Sequence, residues 1–347
     1  MSSAPTLDLI CPGLLGPVPT LPPPFPKTPT LDQLLSRADK RAASLTDPPA
    51  VLLAEFGVFG EPDRDLPTAP LCLLGEDPTV DPDAWWMHAD PVHLRADRDR
   101  LLLFAGAAIA PDRDEADALV ALFNAHFGDA GLWLLAPTPG RWYLRVDRPP
   151  DLRTQPLQRV LGGPIGHALP SGPDASRWNA LLNEAQMLFF GSAVNRARER
   201  QGRPAISGLW VWGGGDRPTL AGDLPAVLVG DHPLTLGLAR HAGRRHLTLA
   251  QWRDDSPSSA GPTVVYWDAL QSALQEQDVL AWANSLRELE SCLQGTAKQL
   301  RDGGVSRIVI DPCQGMRWRI SRSQLRRFWR RQGLRSLLEL REALTER

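Results

Sequence analysis

The chain lacks the short signatures by which many catalytic sites announce themselves. Its four cysteines, Cys11, Cys72, Cys292 and Cys313, form no C-x-x-C pair, which removes the spacing of a zinc knuckle or a redox dithiol. Reduced thiols are the expectation. No G-x-G-x-x-G, Walker lysine, nucleophile elbow or Ser-His-Asp order is present. The N-terminus has no basic stretch leading into an apolar one, so no secretory signal is read. The longest strongly apolar run, residues 101–110, is about half of the roughly 20 residues a membrane-spanning helix needs. A cytoplasmic protein without a membrane partner is expected. A net charge of -2 gives no global attraction to nucleic acid or anionic lipid. Tyrosine is unusually scarce beside tryptophan, and no internal repeat is visible.

What remains is a soluble composition, 43% hydrophobic and 22% charged over 347 residues, enough for one large or two ordinary domains. Nine prolines in residues 1–30 predict an extended or disordered arm. A smaller α+β lobe is expected over residues 31–155 and an α/β lobe over 156–347. In the first lobe, residues 71–74 read as a buried strand and 114–127 as a helix stopped by Gly128. Residues 132–135 and 142–146 read as a hairpin around Pro139-Gly140. In the second, a long helix over 174–200 leads to a strand at 209–212. Further strands are read at 226–229, 263–267 and 305–310, with a helix from Trp282 to Leu300 stopped by Gly303. Alternating strands and helices imply a mainly parallel sheet with helices on both faces.

Chemistry concentrates at four places. His88, Asp90 and His93 supply imidazole and carboxylate donors within six residues, a set that suits zinc, manganese or iron; a structural or substrate-contact role is the competing reading. Gly213-Gly214-Gly215 follow Trp210 and Trp212 at a strand end, where backbone amides approach a phosphate or where a tight turn needs room. Asp231 and His232 open a helix at Pro233, with Asp231 either a metal donor or, preferred, the helix N-cap. Eight arginines in residues 316–335 interleave with Trp318, Phe328 and Trp329. That pattern fits single-stranded nucleic acid, or, preferred, a helix with Leu325, Phe328, Trp329 and Leu334 inward and its arginines solvated. No cofactor is expected beyond a divalent metal at these donors.

Four segments carry a family resemblance. Residues 86–94, 182–187, 194–198 and 210–215 resemble the RpfE-type bacterial regulatory protein family, linked to pathogenicity-factor regulation in plant pathogens. The Trp-x-Trp-Gly-x-Gly strand end with Leu236-Gly237-Leu238-Ala239 more distantly resembles archaeal-type cofactor-independent phosphoglycerate mutases. That likeness implies an alkaline-phosphatase-like fold with two metals and a serine or threonine nucleophile. The chain departs from it: Asp-Gly-x-x-Asp, Asp-Glu-x-x-x-His and Asp-His-x-Thr are missing, and Val309-Ile310-Asp311-Pro312 has proline where histidine is needed. The resemblance implies the scaffold more than the activity. The leading expectation is a regulatory or accessory protein that binds a small molecule or protein partner in one crevice. Trp86, His88, Asp90, His93, Asn183, Glu184, Gln186, Asn195, Arg196, Trp212 and the three glycines would line it. A metal-dependent phosphotransferase using His88, Asp90, His93 and Asp231 is the alternative, and nucleic-acid binding by the arginines a lesser one.

Overall fold

The computed structural model describes residues 5–98, 100–254 and 261–345. In chain order the strands begin with β1 (Thr6–Ile10), β2 (Asp39–Ala42), β3 (Trp86–Asp97) and β4 (Arg100–Phe104). Next come β5 (Leu132–Thr138), β6 (Arg141–Val146), β7 (Gly208–Gly215) and β8 (Val227–Val229). The last are β9 (Arg245–Leu247), β10 (Thr263–Tyr266), β11 (Arg307–Asp311) and β12 (Met316–Ser321). The first helices are α1 (Pro29–Arg37), α2 (Pro48–Ala54), α3 (Thr68–Glu76), α4 (Arg113–Phe127), α5 (Ala175–Phe190) and α6 (Ala193–Arg200). They are followed by α7 (Pro233–Ala242), α8 (Leu249–Asp254), α9 (Ala269–Gln275), α10 (Val279–Asp302) and α11 (Leu334–Thr345). No helix among the described residues is long and apolar enough to cross a membrane.

The chain divides into two compact units, Met1–Phe59 with Leu220–Arg347, and Gly60–Thr219. The expected boundaries near residues 30 and 155 therefore both fall inside units. The first unit holds a seven-stranded sheet in the order β2-β12-β11-β1-β10-β8-β9. Its five strands from β11 to β9 are parallel, and β12 and β2 close one edge antiparallel. Alternation in β1 sends Leu7 and Leu9 to one face, where they join Ile308, Ile310 and Val265. Helices α1 and α10 cover that face through Leu31, Leu34 and Leu35 and through Trp282, Leu286, Leu289 and Leu293. Each such side chain contributes about 1.5–3 kcal/mol when fully buried. Helix α10 ends as read, with Gly303 in the left-handed region at φ 90.

The N-terminal arm is the first correction. Its segment Thr6–Ile10 is an inner strand of the sheet, and Cys11 and Leu14 behind it are fully buried. Proline density misleads because Pro5 and Pro12 flank the strand and leave its ladder amides intact.

The second unit is an antiparallel sheet in the order β4-β3-β6-β5, with β7 also paired to β3. Strand 209–212 thus belongs to this sheet and not to the parallel one. Residues 71–74 are helical, within α3, because a short run buried on every side has no periodicity to separate strand from helix. Residues 174–200 form two helices: Ser192 breaks the run and caps α6 by accepting from the Asn195 amide at 3.1 Å. Helix α4 opens on the Asp112–Glu115 capping box.

The basic C-terminal run is not a helix. Residues 316–321 alternate as β12, with Trp318 and Ile320 in the core and Arg319 exposed. Phe328 and Trp329, expected inward, are 71% and 66% exposed.

Candidate functional site

Strand β3 organises the second unit. Residues 86–88 pair with β6 along one edge of the strand, and the ladder with β7 runs along the other as far as Val92. Met87 and Ala89 face a core built with Trp142, Leu144, Val211 and the apolar side of α4 and α5. His88, Asp90 and Val92 take the opposite face, beneath α3, which touches both β3 and β7. Register sets His88 opposite both Tyr143 and Trp212. The pairing with β7 slips between Trp86 and His88, a local irregularity in the ladder.

His88 stacks on Trp212 at 3.9 Å between ring centroids, 14° from parallel, and Tyr143 stands 5.1 Å away. Trp212 Nε1 donates to Asp90 Oδ2 at 2.7 Å. Asp90 is 4% exposed, and burial pushes its carboxyl up to about 7 against the Trp212 donor and the Trp142 backbone amide. Burial likewise raises the Tyr143 phenol well above its ordinary range, with Cys72 and Glu76 adding to the shift. Burial also raises the Cys72 thiol. Glu76 pairs with Arg141 Nη2 at 2.5 Å.

Thr68 Oγ1, Trp86 Nε1 and Asp90 Oδ1 in this layer make no hydrogen bond within the protein, while the Tyr143 hydroxyl faces Glu76, whose hydrogen bond helps raise the phenol. Each such buried group costs about 1–3 kcal/mol if nothing completes it. Native proteins leave few such groups, and ordered solvent is the usual partner of those that remain.

The three glycines serve close packing. A Cβ on Gly213, which has φ +62, would collide with Thr68 Oγ1 and stand 3.2 Å from His88 Cδ2. On Gly214 it would collide with the Trp85 ring, and on Gly215 it would lie 2.6 Å from Pro67. Their amides face an anion the protein supplies itself. Asp65 accepts from the Thr154 amide at 3.0 Å and from its hydroxyl, and the Gly213 and Gly214 amides also favour its charged form. Burial outweighs these donors and raises the Asp65 carboxyl. The phosphate cradle read at this strand end is therefore a turn closed on Asp65.

Other expected site residues lie apart from this layer. His93 is half-buried, with Nδ1 2.8 Å from the Ala205 carbonyl. Asn183, Glu184 and Gln186 sit on the exposed side of α5, where Glu184 meets His126 Nε2 at 2.6 Å. Asn195 is buried and clamps the chain, donating to the Phe189 and Ile206 carbonyls and accepting from the Ile206 amide, each at 2.8 Å. Arg196 is exposed and donates to the Gly191 carbonyl at 2.5 Å. The pattern hid Arg198, which is 0% exposed and held by Glu115 at 2.5 Å and by the Ile109 and Pro204 carbonyls. Tyr143, Thr68 and Glu76 were also missed; alternation through residues 142–146 was the signal available for Tyr143.

Asp231 belongs to the first unit, at the end of β8. It accepts from the Leu249 amide at 3.0 Å, and His232, not Asp231, caps α7. Among the described residues no three His, Cys, Asp or Glu side chains are grouped to hold a metal ion. Elsewhere at the parallel strand ends, Cys11 follows β1 fully buried, and Asp311 is engaged by Arg317 and by the Cys313 amide. Burial raises the Cys11 thiol, and Cys313 and Asp311 beside it add to the rise.

No family model and no curated protein matches the chain. Among solved structures, the PH0037 protein from Pyrococcus horikoshii aligns over 92% of this chain and 88% of its own, with a TM-score of 0.57 at 15% identity. A cofactor-independent phosphoglycerate mutase from Thermoplasma acidophilum aligns over 92% and 90%, with a TM-score of 0.45 at 17% identity. The first of these likenesses is one of fold.

Proposed function

We propose that the protein is a non-catalytic binding protein on a phosphoglycerate-mutase-like, alkaline-phosphatase-like scaffold, and that its ligand is a small polar molecule received between α3 and the β3–β6–β7 face. An accessory or regulatory role follows from the RpfE-type likeness of the same segments. The observation that carries the reading is the set of buried polar atoms left without protein partners, Thr68 Oγ1, Trp86 Nε1 and Asp90 Oδ1, beside the Tyr143 phenol. Indole, phenol and imidazole rings wall the place, as they wall most small-molecule sites. A carboxyl with its pKa near 7, a phenol and a hydroxyl both donate and accept, so the matching solute bears hydroxyl, amide or carbonyl groups.

The phosphotransferase alternative would draw its metal donors from His88, Asp90, His93 and Asp231. Asp90 accepts from Trp212 Nε1, His93 Nδ1 lies against the Ala205 carbonyl, and Asp231, in the other unit, accepts from the Leu249 amide. These engagements favour binding over transfer.

Thermal-shift measurements with polyols, amides, carboxylates and phosphomonoesters test the proposal. At least one class should raise the melting temperature of the native protein and not that of Tyr143→Phe. Equal shifts in the two proteins would remove the site. Turnover of p-nitrophenyl phosphate or 3-phosphoglycerate with manganese or zinc would replace the proposal by the phosphotransferase.

A further inference from the structure

Between Asp311 and Glu339 the chain carries eight arginines and no carboxylate. The fold sets this run at the edge of the seven-stranded sheet, where β12 pairs with edge strand β2 and Trp318 lies opposite Lys40. Part of the charge is neutralised locally: Arg317 by Asp311, Arg327 by Asp39 at 2.5 Å, and Arg335 by Glu339 at 2.8 Å. Arg41, Arg319, Arg322, Arg326 and Arg331 are exposed, and none forms an ion pair among the described residues. A protein of net charge -2 thus concentrates unpaired positive charge on one edge.

That edge also has shape. An open cleft of about 630 Å³ is lined by Lys40, Arg41, Trp318, Arg330, Arg331 and Gln332. The Lys40 ammonium lies 5.9 Å from the centroid of the buried Trp318 ring. Asp39 is the single carboxylate lining the cleft, and the Arg327 hydrogen bond holds it below the usual range. On the same arginine run, Phe328 and Trp329 stand exposed and edge to face, 5.4 Å apart. The two rings pack on each other, remain mostly in solvent, and lie in sequence between the unpaired Arg326 and Arg331.

We propose that this edge binds single-stranded nucleic acid, with Arg41, Arg326 and Arg331 on phosphates and Phe328 and Trp329 stacked on bases. Base faces are accessible in a single strand and hidden in a duplex, and every base offers one, so this recognition is electrostatic and stacking without a sequence code. An acidic peptide would satisfy the arginines and leave both rings idle. This surface lies in the first unit and does not depend on the ligand site proposed in the second.

The test is fluorescence anisotropy of the full chain with a labelled oligothymidylate or oligouridylate of about 20 nucleotides, over salt from about 50 to 200 mM. Binding should weaken linearly in log salt. Trp329→Ala should weaken it about tenfold or more, and Arg326→Ala with Arg331→Ala should flatten the salt slope by about 1 to 1.5. All three side chains are exposed, so folding survives, and circular dichroism verifies it. Tyr143→Phe should bind the oligonucleotide like the native protein, which separates this proposal from the ligand site. Failure to bind at the lowest salt overturns it. So does a Trp329→Ala variant that binds normally, or a duplex or polyglutamate that binds as tightly as the single strand.

Discussion

Asp90 gives the sharpest perturbation. Its folded-state pKa of about 7 stands above the ordinary 3.8 because burial disfavours the carboxylate more than Trp212 supports it. The folded protein therefore holds a proton that the unfolded chain releases. The stabilising contribution is full below about pH 4 and falls as pH rises to about 7, after which it is gone. A rise of about three pKa units corresponds to about 4 kcal/mol in full. Asp90→Asn keeps an oxygen to accept from Trp212 Nε1 and cannot ionise, so its own cost is the same at every pH. Asp8, Glu55 and Asp65 are also raised, all chiefly by burial, and they cancel because both proteins carry them. Urea unfolding between pH 4 and 8, followed by tryptophan fluorescence and circular dichroism, reads the difference. The stability of Asp90→Asn relative to the native protein should climb by about 3 kcal/mol between pH 4 and 7. Parallel pH profiles would refute the account of a buried, protonated Asp90.

Three further outcomes follow from the same packing. Glu115→Ala strands the fully buried Arg198 guanidinium and should cost about 3–5 kcal/mol in chemical denaturation. Gly213→Ala forces a side chain into φ +62 against Thr68 and should lose about 1–3 kcal/mol, whereas Gly140→Ala meets nothing within 4 Å and should be nearly neutral. Asn195→Ala orphans the Ile206 amide and should lower stability by about 1–3 kcal/mol, most visibly as faster hydrogen exchange at that amide.

Much of this architecture was legible because its cues are local. The extent of α4, the β5–β6 hairpin and the glycine stop of α10 each follow from residues within a few positions of the structure they specify. Long-range choices were not. Nothing in residues 6–10 says that they pair with β10 and β11, about 250 to 300 positions away. The alternation that marks Trp210 and Trp212 as strand residues does not reveal a partner, so β7 was read into the wrong sheet. At the site, His88 and Asp90 stood out as closely spaced metal-donor types and Trp212 as a ring beside a glycine run, all three read into one crevice. Tyr143, Thr68 and Glu76 were missed because each is ordinary until the fold lays its segment over β3. Asn195 and Arg198 show the converse: polar residues among apolar neighbours can be clamps and buried ion pairs as well as ligand contacts.

The central claim is that the layer between α3 and β3 receives a polar solute. A high-resolution crystal structure of the protein soaked with the most stabilising compound from the thermal-shift series tests it most directly. The account predicts density for that compound within hydrogen-bonding reach of Thr68 Oγ1, Asp90 Oδ1 and the Tyr143 hydroxyl. The compound bound elsewhere, with those three atoms bonded to neighbouring protein groups, would contradict it.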